Sequence, residues 1–390
     1  MLAKITTKLI GPMAEFLPEN IPLRMTNAYC EVVASSGLTH RRPEFNIHSV
    51  LDSKLNREVE VIEEVIEKTA FCTLLRFKKD LATTQPRVLV IAPMSGHFAT
   101  LLRPTVLTLL GDHDVYITDW HNVRDIPQAD GLFDLDVYIQ HIIHFLETIG
   151  AGTHLLAVCQ PCVPALAAVA LMAQDKNHCQ PPTMTLMAGP VDTRISPTVV
   201  NNLATTKPIE WFERNVINTV PMQFKGRMRR VYPGFLQISA FMSMNLPRHI
   251  GSFLDLYGHV FANEKMEAKV LKDFYHEYFS MMDLPAEYYL QTIKSVFQDF
   301  ALAKGEMRVN GRLVEPAAIH RTALFTIEGE RDDICSLGQT MAAQTLCPSL
   351  PPFKKQHHVQ PGVGHYGVFG GRRWEFQVYP RVRHFIYAYS

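Results

Sequence analysis

The sequence predicts an α/β fold: a mostly parallel sheet flanked by helices, with a helix-rich segment inserted before the last strands. Three observations carry this. Short apolar runs at 87–92, 114–118, 154–158 and 183–187 read as buried strands, and longer helical patterns alternate with them. From 199 to 312 the texture changes to few β runs and many Met, Phe and Tyr. Strand-like runs then resume at 323–328 and 354–359.

The chain of 390 residues has room for one large domain with an insertion. Lys+Arg and Asp+Glu balance at 38 each, so no bulk field draws nucleic acid or an anionic membrane. Seven scattered cysteines form no disulfide framework, and a reducing cytoplasm is the expected home. The first residues lack a continuous apolar run, broken by Lys8, Pro12 and Glu15, so no secretory signal is expected. No apolar run reaches the length of a membrane span.

Residues 1–45 read as a helical lead-in, with Met13, Phe16 and Leu17 among its apolar positions. Packing on the main domain is expected, and an amphipathic surface anchor is the alternative. Residues 46–198 and 313–390 form the two parts of the core, and 199–312 a helical cap. In the first part, 58–76 alternates in the manner of two antiparallel strands, with Cys72 a core residue. A helix follows at 101–110, and another at 134–149 carries His141 and His144. These lack a carboxylate or Cys partner at ligand spacing and read as packed or surface histidines. Asp192 and Arg194 read as a structural ion pair. In the cap, Lys225, Arg227, Arg229 and Arg230 read as solvated surface. Met242, Met244, Phe253, Met281 and Met282 are either core or an adaptable apolar surface.

The chemistry centres on His154-Leu155-Leu156-Ala157-Val158-Cys159-Gln160-Pro161-Cys162. The turn Gly150-Ala151-Gly152 precedes the strand, and Pro161 and Pro164 suit the first turn of the helix that follows. Cys159 is thus at an abrupt strand–helix corner. A thiolate there faces the positive end of a helix, and the Gln160 N–H is free to donate to an oxyanion. This is where α/β-hydrolases place their nucleophile, usually as G-x-S-x-G. Here Cys replaces Ser, Ala157 the first Gly and Pro161 the second.

The loop Pro93-Met94-Ser95-Gly96-His97 follows strand 87–92 and supplies a second oxyanion N–H in that fold. Met94, Ser95 and Gly96 are the candidates, the donor among them unresolved. Cys-Gln-Pro-Cys also admits a redox dithiol, half of a zinc site, or inert buried cysteines. Downstream residues favour the nucleophile. Asp332 and Asp333 follow strand 323–328, and His365 lies in the glycine-rich loop Pro361-Gly362-Val363-Gly364-His365-Tyr366-Gly367. Nucleophile, acid and His therefore come in hydrolase order. Asp332 is preferred to Asp333 as the acid, and His357-His358 is a weaker base candidate. His365 would take the proton from Cys159 and hand it to the leaving alcohol, with the acid holding its tautomer.

The chain resembles the intracellular poly(3-hydroxybutyrate) depolymerases. The resemblance runs from Arg41-Arg42-Pro43-Glu44-Phe45 almost to the end. It is carried by VLVIAPMSGHFATLLR, VCQPCVP, AGPVDTR with the following SPT and Asn201, IEGERDDI and GVGHYGVFGGRRW. It implies a Cys–Asp–His triad on Cys159, Asp332 and His365, with no metal and no cofactor. The implied reaction is acyl transfer from stored polyester to Cys159, then hydrolysis to 3-hydroxybutyrate or short oligomers. Some relatives pass the acyl group to coenzyme A instead. The implied partner is the surface of polyester granules in the cytoplasm. Cys162 is a departure, since the family often has a hydroxyl or other small residue there, and a second thiol so near Cys159 suggests a regulatory disulfide. The lead-in before Arg41 matches the family poorly.

The enzymatic rival is a polyhydroxyalkanoate synthase-like acyltransferase, whose elbow resembles G-x-C-x-G-G. Ala157 and Pro161-Cys162 disagree with that pattern. A non-catalytic granule-associated protein and a dithiol oxidoreductase are the other readings. The second of these would need neither Asp332 nor His365.

Overall fold

The apolar runs assemble into one sheet. A computed structural model describes residues 2–17, 19–81, 84–244 and 246–390. Among these the main sheet holds β1 (Ser49–Asp52), β2 (Arg57–Lys68), β3 (Cys72–Lys79), β4 (Arg87–Ile91), β5 (Asp114–Trp120), β6 (His154–Val158), β7 (Thr183–Met187), β8 (Ala323–Gly329) and β9 (Lys355–Gln360). They lie side by side in the order β1-β2-β3-β5-β4-β6-β7-β8-β9. From β5 to β9 every neighbouring pair is parallel, while β1, β2 and β3 form an antiparallel edge. This is the α/β-hydrolase fold, and burial explains the split. β6 and β7 are buried along their whole length, as strands covered on both faces must be, whereas β2 keeps much of its length exposed.

Two helices, α1 (Leu2–Phe16) and α2 (Ile21–Ser35), precede the sheet; α3 (Arg103–Leu110), α4 (Leu135–Ile149) and α5 (Cys162–Gln174) close it, and α6 to α11 follow in the cap. α4 starts at Asp134, whose carboxylate accepts the Val137 N–H, and buries an apolar stripe from Leu135 to Ile149. α5 is buried from Cys162 to Met172, which fits its run of Ala, Leu and Val. Cys72 of β3 and Leu89 of β4 are both fully buried in the core.

The cap holds α6 (Val199–Thr206), α7 (Ile209–Asn215), α8 (Gly234–Met244), α9 (Leu246–Ala262), α10 (Lys265–Tyr278) and α11 (Ala286–Thr292). It is not wholly helical, because Leu284–Pro285, Arg230–Tyr232 and Asn218–Thr219 form a small three-stranded sheet. Met281 and Met282 are core, and Met242 and Phe253 pack partly buried beside Ile238, Tyr275 and Tyr278.

Two expectations need correction. Arg229 is not solvated surface: it is buried and donates to the carbonyls of Ile126 at 2.6 Å, Gly131 at 2.8 Å and Pro127. Its neighbours along the charge run stay outside, with Arg230 paired to Glu213 at 2.6 Å. A turn with three carbonyls pointing one way is a better partner for a guanidinium than water, and it ties the cap to the core. The lead-in packs on the main domain only through its last residues, where Arg42 pairs with Asp119 of β5 at 2.6 Å and Phe45 is buried against Phe77 of β3. Its helices pack on the cap, where Arg24 donates to the Phe261 carbonyl of α9 at 3.0 Å and Lys272 of α10 pairs with Glu31 at 2.9 Å. Leu9 and Met13 of α1, Met25 and Tyr29 of α2 and Leu254 of α9 remain exposed. The Phe16 side chain lies outside the described residues.

Asp192 and Arg194 do pair, at 2.7 Å. His144 pairs with Glu67 at 2.7 Å, and His141 reaches the Val137 carbonyl at 2.8 Å. No helix among the described residues is long and apolar enough to cross a membrane.

Candidate active site

β6 ends at Val158, and the chain turns at once into α5. Cys159 occupies that turn with φ +67°, a left-handed conformation that a residue with a side chain rarely adopts. Its N–H donates to the Met187 carbonyl at 2.7 Å, and its carbonyl takes the Cys162 N–H at 3.1 Å. The surroundings hold this strained turn and leave Cys159 half-buried at the carboxyl end of the sheet. Pro161 precedes the first helical residue with φ −60°, compatible with its ring.

The tightness that a glycine would give at 157 or 161 is supplied elsewhere. A Cβ on Gly189, just past β7, would stand 2.1 Å from the Cys162 Cβ and 2.9 Å from the Cys159 carbonyl oxygen. Cys162 fills the space under the elbow. It is fully buried, and its Sγ turns inward, 3.4 Å from the Ala157 carbonyl and 3.6 Å from that of Met187. Burial pushes its thiol well above the ordinary range, and Cys159 adds to the effect. Both cysteines are free thiols here. Among the described residues no three of His, Cys, Asp or Glu gather as a metal would need.

His365 and Asp332 come together over the same end of the sheet. His365 Nδ1 is 2.8 Å from Asp332 Oδ2, with the His side chain 5% exposed and the Asp side chain 0%. The other carboxylate oxygen accepts the N–H groups of Ile334 at 2.9 Å and Cys335 at 2.8 Å. Asp332 is thereby fixed on both oxygens, whereas Asp333 is exposed. A carboxylate at Nδ1 fixes the proton there and leaves Nε2 for Cys159. Burial alone would lower the imidazole. The charge of Cys159, the Asp332 carboxylate and hydrogen bonds to both hold it well above its ordinary value. His357 and His358 of β9 are bonded elsewhere, to Thr326 of β8 at 2.9 Å and to Gln360 at 3.0 Å.

The loop after β4 lies beside the elbow, because Ile91 pairs with Ala157 across the two strands. Its Met94 N–H is taken by the Gln160 side-chain oxygen at 3.4 Å, a long bond. The Gln160 N–H has no backbone carbonyl to donate to among the described residues. Gly96 adopts φ +111°, and a Cβ there would stand 2.2 Å from Gln237 Oε1 and 2.5 Å from Met281 Cε of the cap. Its carbonyl accepts the Met282 N–H at 2.7 Å. The next residue, His97, is buried between Phe241 and Tyr278, each 5.4 Å away, and burial lowers its pKa to about 4. In the sequence His97 has only its place at the end of the loop after strand 87–92. It is the residue that wedges this loop against the cap.

Also unforeseen is Tyr288 of α11. Its ring stacks on Tyr138 at 5.4 Å, and Tyr138 donates to the Ala92 carbonyl at 3.2 Å, next to the loop. No sequence signal marks it out from the other tyrosines. A cavity of about 530 Å³ opens nearby between Arg41, Lys68, Trp120 and Asp125, but none of Cys159, Asp332 and His365 lines it.

Similarity to solved structures is distant. A 2-hydroxy-6-oxo-6-phenylhexa-2,4-dienoate hydrolase from Rhodococcus sp. strain RHA1 is 12% identical, with TM-score 0.48, over 84% of this chain and 99% of that one. A monoglyceride lipase variant from Saccharomyces cerevisiae is 11% identical, with TM-score 0.48, over 85% and 96%. A monoacylglycerol lipase from Paleococcus ferrophilus is 10% identical, with TM-score 0.47, over 79% and 96%. No curated protein matches the chain. A family profile does, that of the PHB de-polymerase C-terminus, over residues 188–390. That span begins at the turn holding Gly189 against the elbow and takes in the cap, Asp332 and His365; over more than half its length, the chain belongs to the PHB de-polymerase family.

Proposed function

We propose that the chain is an ester hydrolase that depolymerises stored poly(3-hydroxybutyrate) through an acyl-enzyme on Cys159. The observation that carries this reading is the line Cys159–His365–Asp332. A thiol held in a strained turn faces an imidazole whose far nitrogen is 2.8 Å from a doubly anchored carboxylate.

In this mechanism His365 Nε2 takes the Cys159 proton and the sulfur attacks a backbone ester carbonyl of the polymer. The oxyanion is received by the Gln160 N–H and by an N–H of the Met94–Ser95–Gly96 loop. The Gln160 side chain releases the Met94 N–H as the stronger acceptor arrives. Collapse breaks the C–O bond, and the imidazolium gives its proton to the departing alkoxide. Water, deprotonated by the same Nε2, then attacks the thioester and releases the 3-hydroxyacid. Coenzyme A thiol can replace water in that step, giving the acyl-CoA.

The exposed apolar residues of α1, α2 and α9 support a granule surface as partner. Monomeric proteins seldom leave Leu9 at 67%, Tyr29 at 65% and Leu254 at 66% exposure on adjoining helices without a use for them. The free cysteines favour the cytoplasm as the compartment.

The test is 3-hydroxybutyrate release from amorphous granules by wild type and Cys159→Ala, with and without coenzyme A. Turnover by wild type alone supports the reading, and the coenzyme A arm decides the acceptor. Full activity in Cys159→Ala refutes it. Release of coenzyme A from hydroxybutyryl-CoA with polymer growth would favour a synthase instead.

A further inference from the structure

Among the described residues, the buried tyrosines account for their hydroxyls with one exception. Tyr138 donates to the Ala92 carbonyl at 3.2 Å, Tyr379 reaches Asp112 at 2.5 Å, and Tyr275 and Tyr278 approach the His249 ring at 3.2 Å and 3.3 Å. Tyr288 is 2% exposed and its hydroxyl meets no hydrogen-bond partner among the described residues. The Thr292 hydroxyl, one turn further along α11, lies beside it and opposes the rise of the phenol as a hydrogen bond would, but the two buried groups do not meet in hydrogen-bond geometry. Proteins seldom bury a donor without a partner unless something else comes to it.

Its place tells what that is. The Tyr288 ring is stacked on Tyr138, whose hydroxyl holds Ala92, and Ala92 follows the residue paired with Ala157. Two residues beyond each lie Met94 and Cys159. Negative charge on Cys159 is close enough to reinforce the effect of burial in raising the phenol far above its ordinary value. Tyr288 therefore stays protonated at any working pH and acts as a donor.

A 3-hydroxyacyl polyester presents acceptors only along its chain, and each acyl unit carries an oxygen on its third carbon. We propose, resting on the acyl-Cys159 reading, that the Tyr288 hydroxyl donates a hydrogen bond to this 3-oxygen and selects 3-oxygenated acyl groups over plain ones. A site that keeps a buried donor for a substrate oxygen discriminates strongly against an analogue lacking it, because the donor is then left unpaired.

The experiment compares p-nitrophenyl 3-hydroxybutyrate with p-nitrophenyl butyrate. In wild type, kcat/KM is expected to favour the 3-hydroxy ester by at least about tenfold to a hundredfold. In Tyr288→Phe that preference should fall to near unity, with the butyrate rate kept within about threefold. The variant should melt at or above the wild-type temperature, since an unbonded hydroxyl is removed. Three outcomes overturn the proposal: no preference in wild type, an equal loss on both esters, or a lower melting temperature with the preference intact. The first needs no variant. Failure of the underlying reading looks different, as Cys159→Ala would then hydrolyse both esters like wild type.

Discussion

Replacing Asp332 by Asn tests the acid without disturbing its surroundings. Asn keeps an oxygen for the Ile334 and Cys335 N–H groups, so the loop should hold its shape. At the other end an amide NH₂ now faces His365 Nδ1, where a carboxylate oxygen stood at 2.8 Å. The imidazole must turn its proton to Nε2, the nitrogen that should receive the Cys159 proton. The lost charge has a calculable cost: a carboxylate and an imidazolium with centres about 4 Å apart, at an effective dielectric near 20, attract by about 4 kcal/mol. At about 1.4 kcal/mol per tenfold this is roughly three orders of magnitude in rate, and the wrong tautomer adds up to about another. Cys159 acylation by a p-nitrophenyl ester, followed by stopped flow, should therefore slow by about 10³- to 10⁴-fold. The pH profile should change as well. His365 is held up partly by Asp332 and must be neutral to accept the Cys159 proton, so the loss of Asp332 moves the acid limb of the profile to lower pH. The stability linkage has a definite sign: an imidazole raised above 6.5 stabilises the fold fully below that value, and the contribution fades as pH rises through its folded value. The wild-type margin over Asp332→Asn should thus narrow with rising pH. Asp333→Asn, at an exposed position, should act like wild type. A loss below tenfold in Asp332→Asn, or a large loss in Asp333→Asn, would refute the assignment.

Cys162→Ala should keep wild-type turnover and lose about 1–2 kcal/mol of stability in urea unfolding, because its thiol fills space under the elbow and bonds only main-chain carbonyls; a fall in kcat like that of Cys159→Ala would contradict this. His97, His113 and His154 are each held by burial at about pKa 4, so between pH 6.5 and 4 the unfolded chain binds more protons than the native one. Stability should fall with acid by about 1.4 kcal/mol per pH unit for each, and His97→Phe should flatten the slope by one such share between pH 6 and 5; an unchanged slope would mean His97 charges freely. Leu9→Glu with Met25→Glu adds two charges to the apolar face at positions 67% and 49% exposed. At about 1.5–3 kcal/mol per buried side chain, sedimentation with granules should weaken by about a hundredfold or more, with soluble-ester activity unchanged; undiminished sedimentation would place the contact elsewhere.

Legibility followed the range of the interactions. β6 and β7 coincide with the apolar runs read from the sequence, because a strand covered on both faces needs nothing but local hydrophobicity to announce it. The placement of Cys159, Asp332 and His365 together was legible for a related reason: each follows a strand end, and a parallel sheet brings strand ends together whatever the loops between them do. What escaped depended on partners far along the chain. Arg229 looked like any surface charge until the carbonyls of Ile126, Pro127 and Gly131, about a hundred residues earlier, were folded around it. The docking of α2 on α9 rests on Arg24 meeting Phe261, and neither residue carries a pattern that points to the other.

The elbow shows the same division inside a single motif. By pattern alone, Ala157 and Pro161 weaken the match, since the turn is tight and glycine is the usual answer. In the folded chain the close approach occurs between Cys162 and Gly189, where a methyl would overlap the Cys162 Cβ and crowd the Cys159 carbonyl. The need for a missing side chain is therefore met on the neighbouring strand's exit loop, twenty-seven residues after Cys162. Cys162 is a small residue that fits this gap, and its inward thiol spends its weak donor on two strand-end carbonyls. A second cysteine in C-x-x-C thus has a packing reason to be there that requires no redox chemistry. It follows that enlarging position 162 should unseat Cys159, the proposed nucleophile, through Gly189, whereas shrinking it to Ala should leave Cys159 in place.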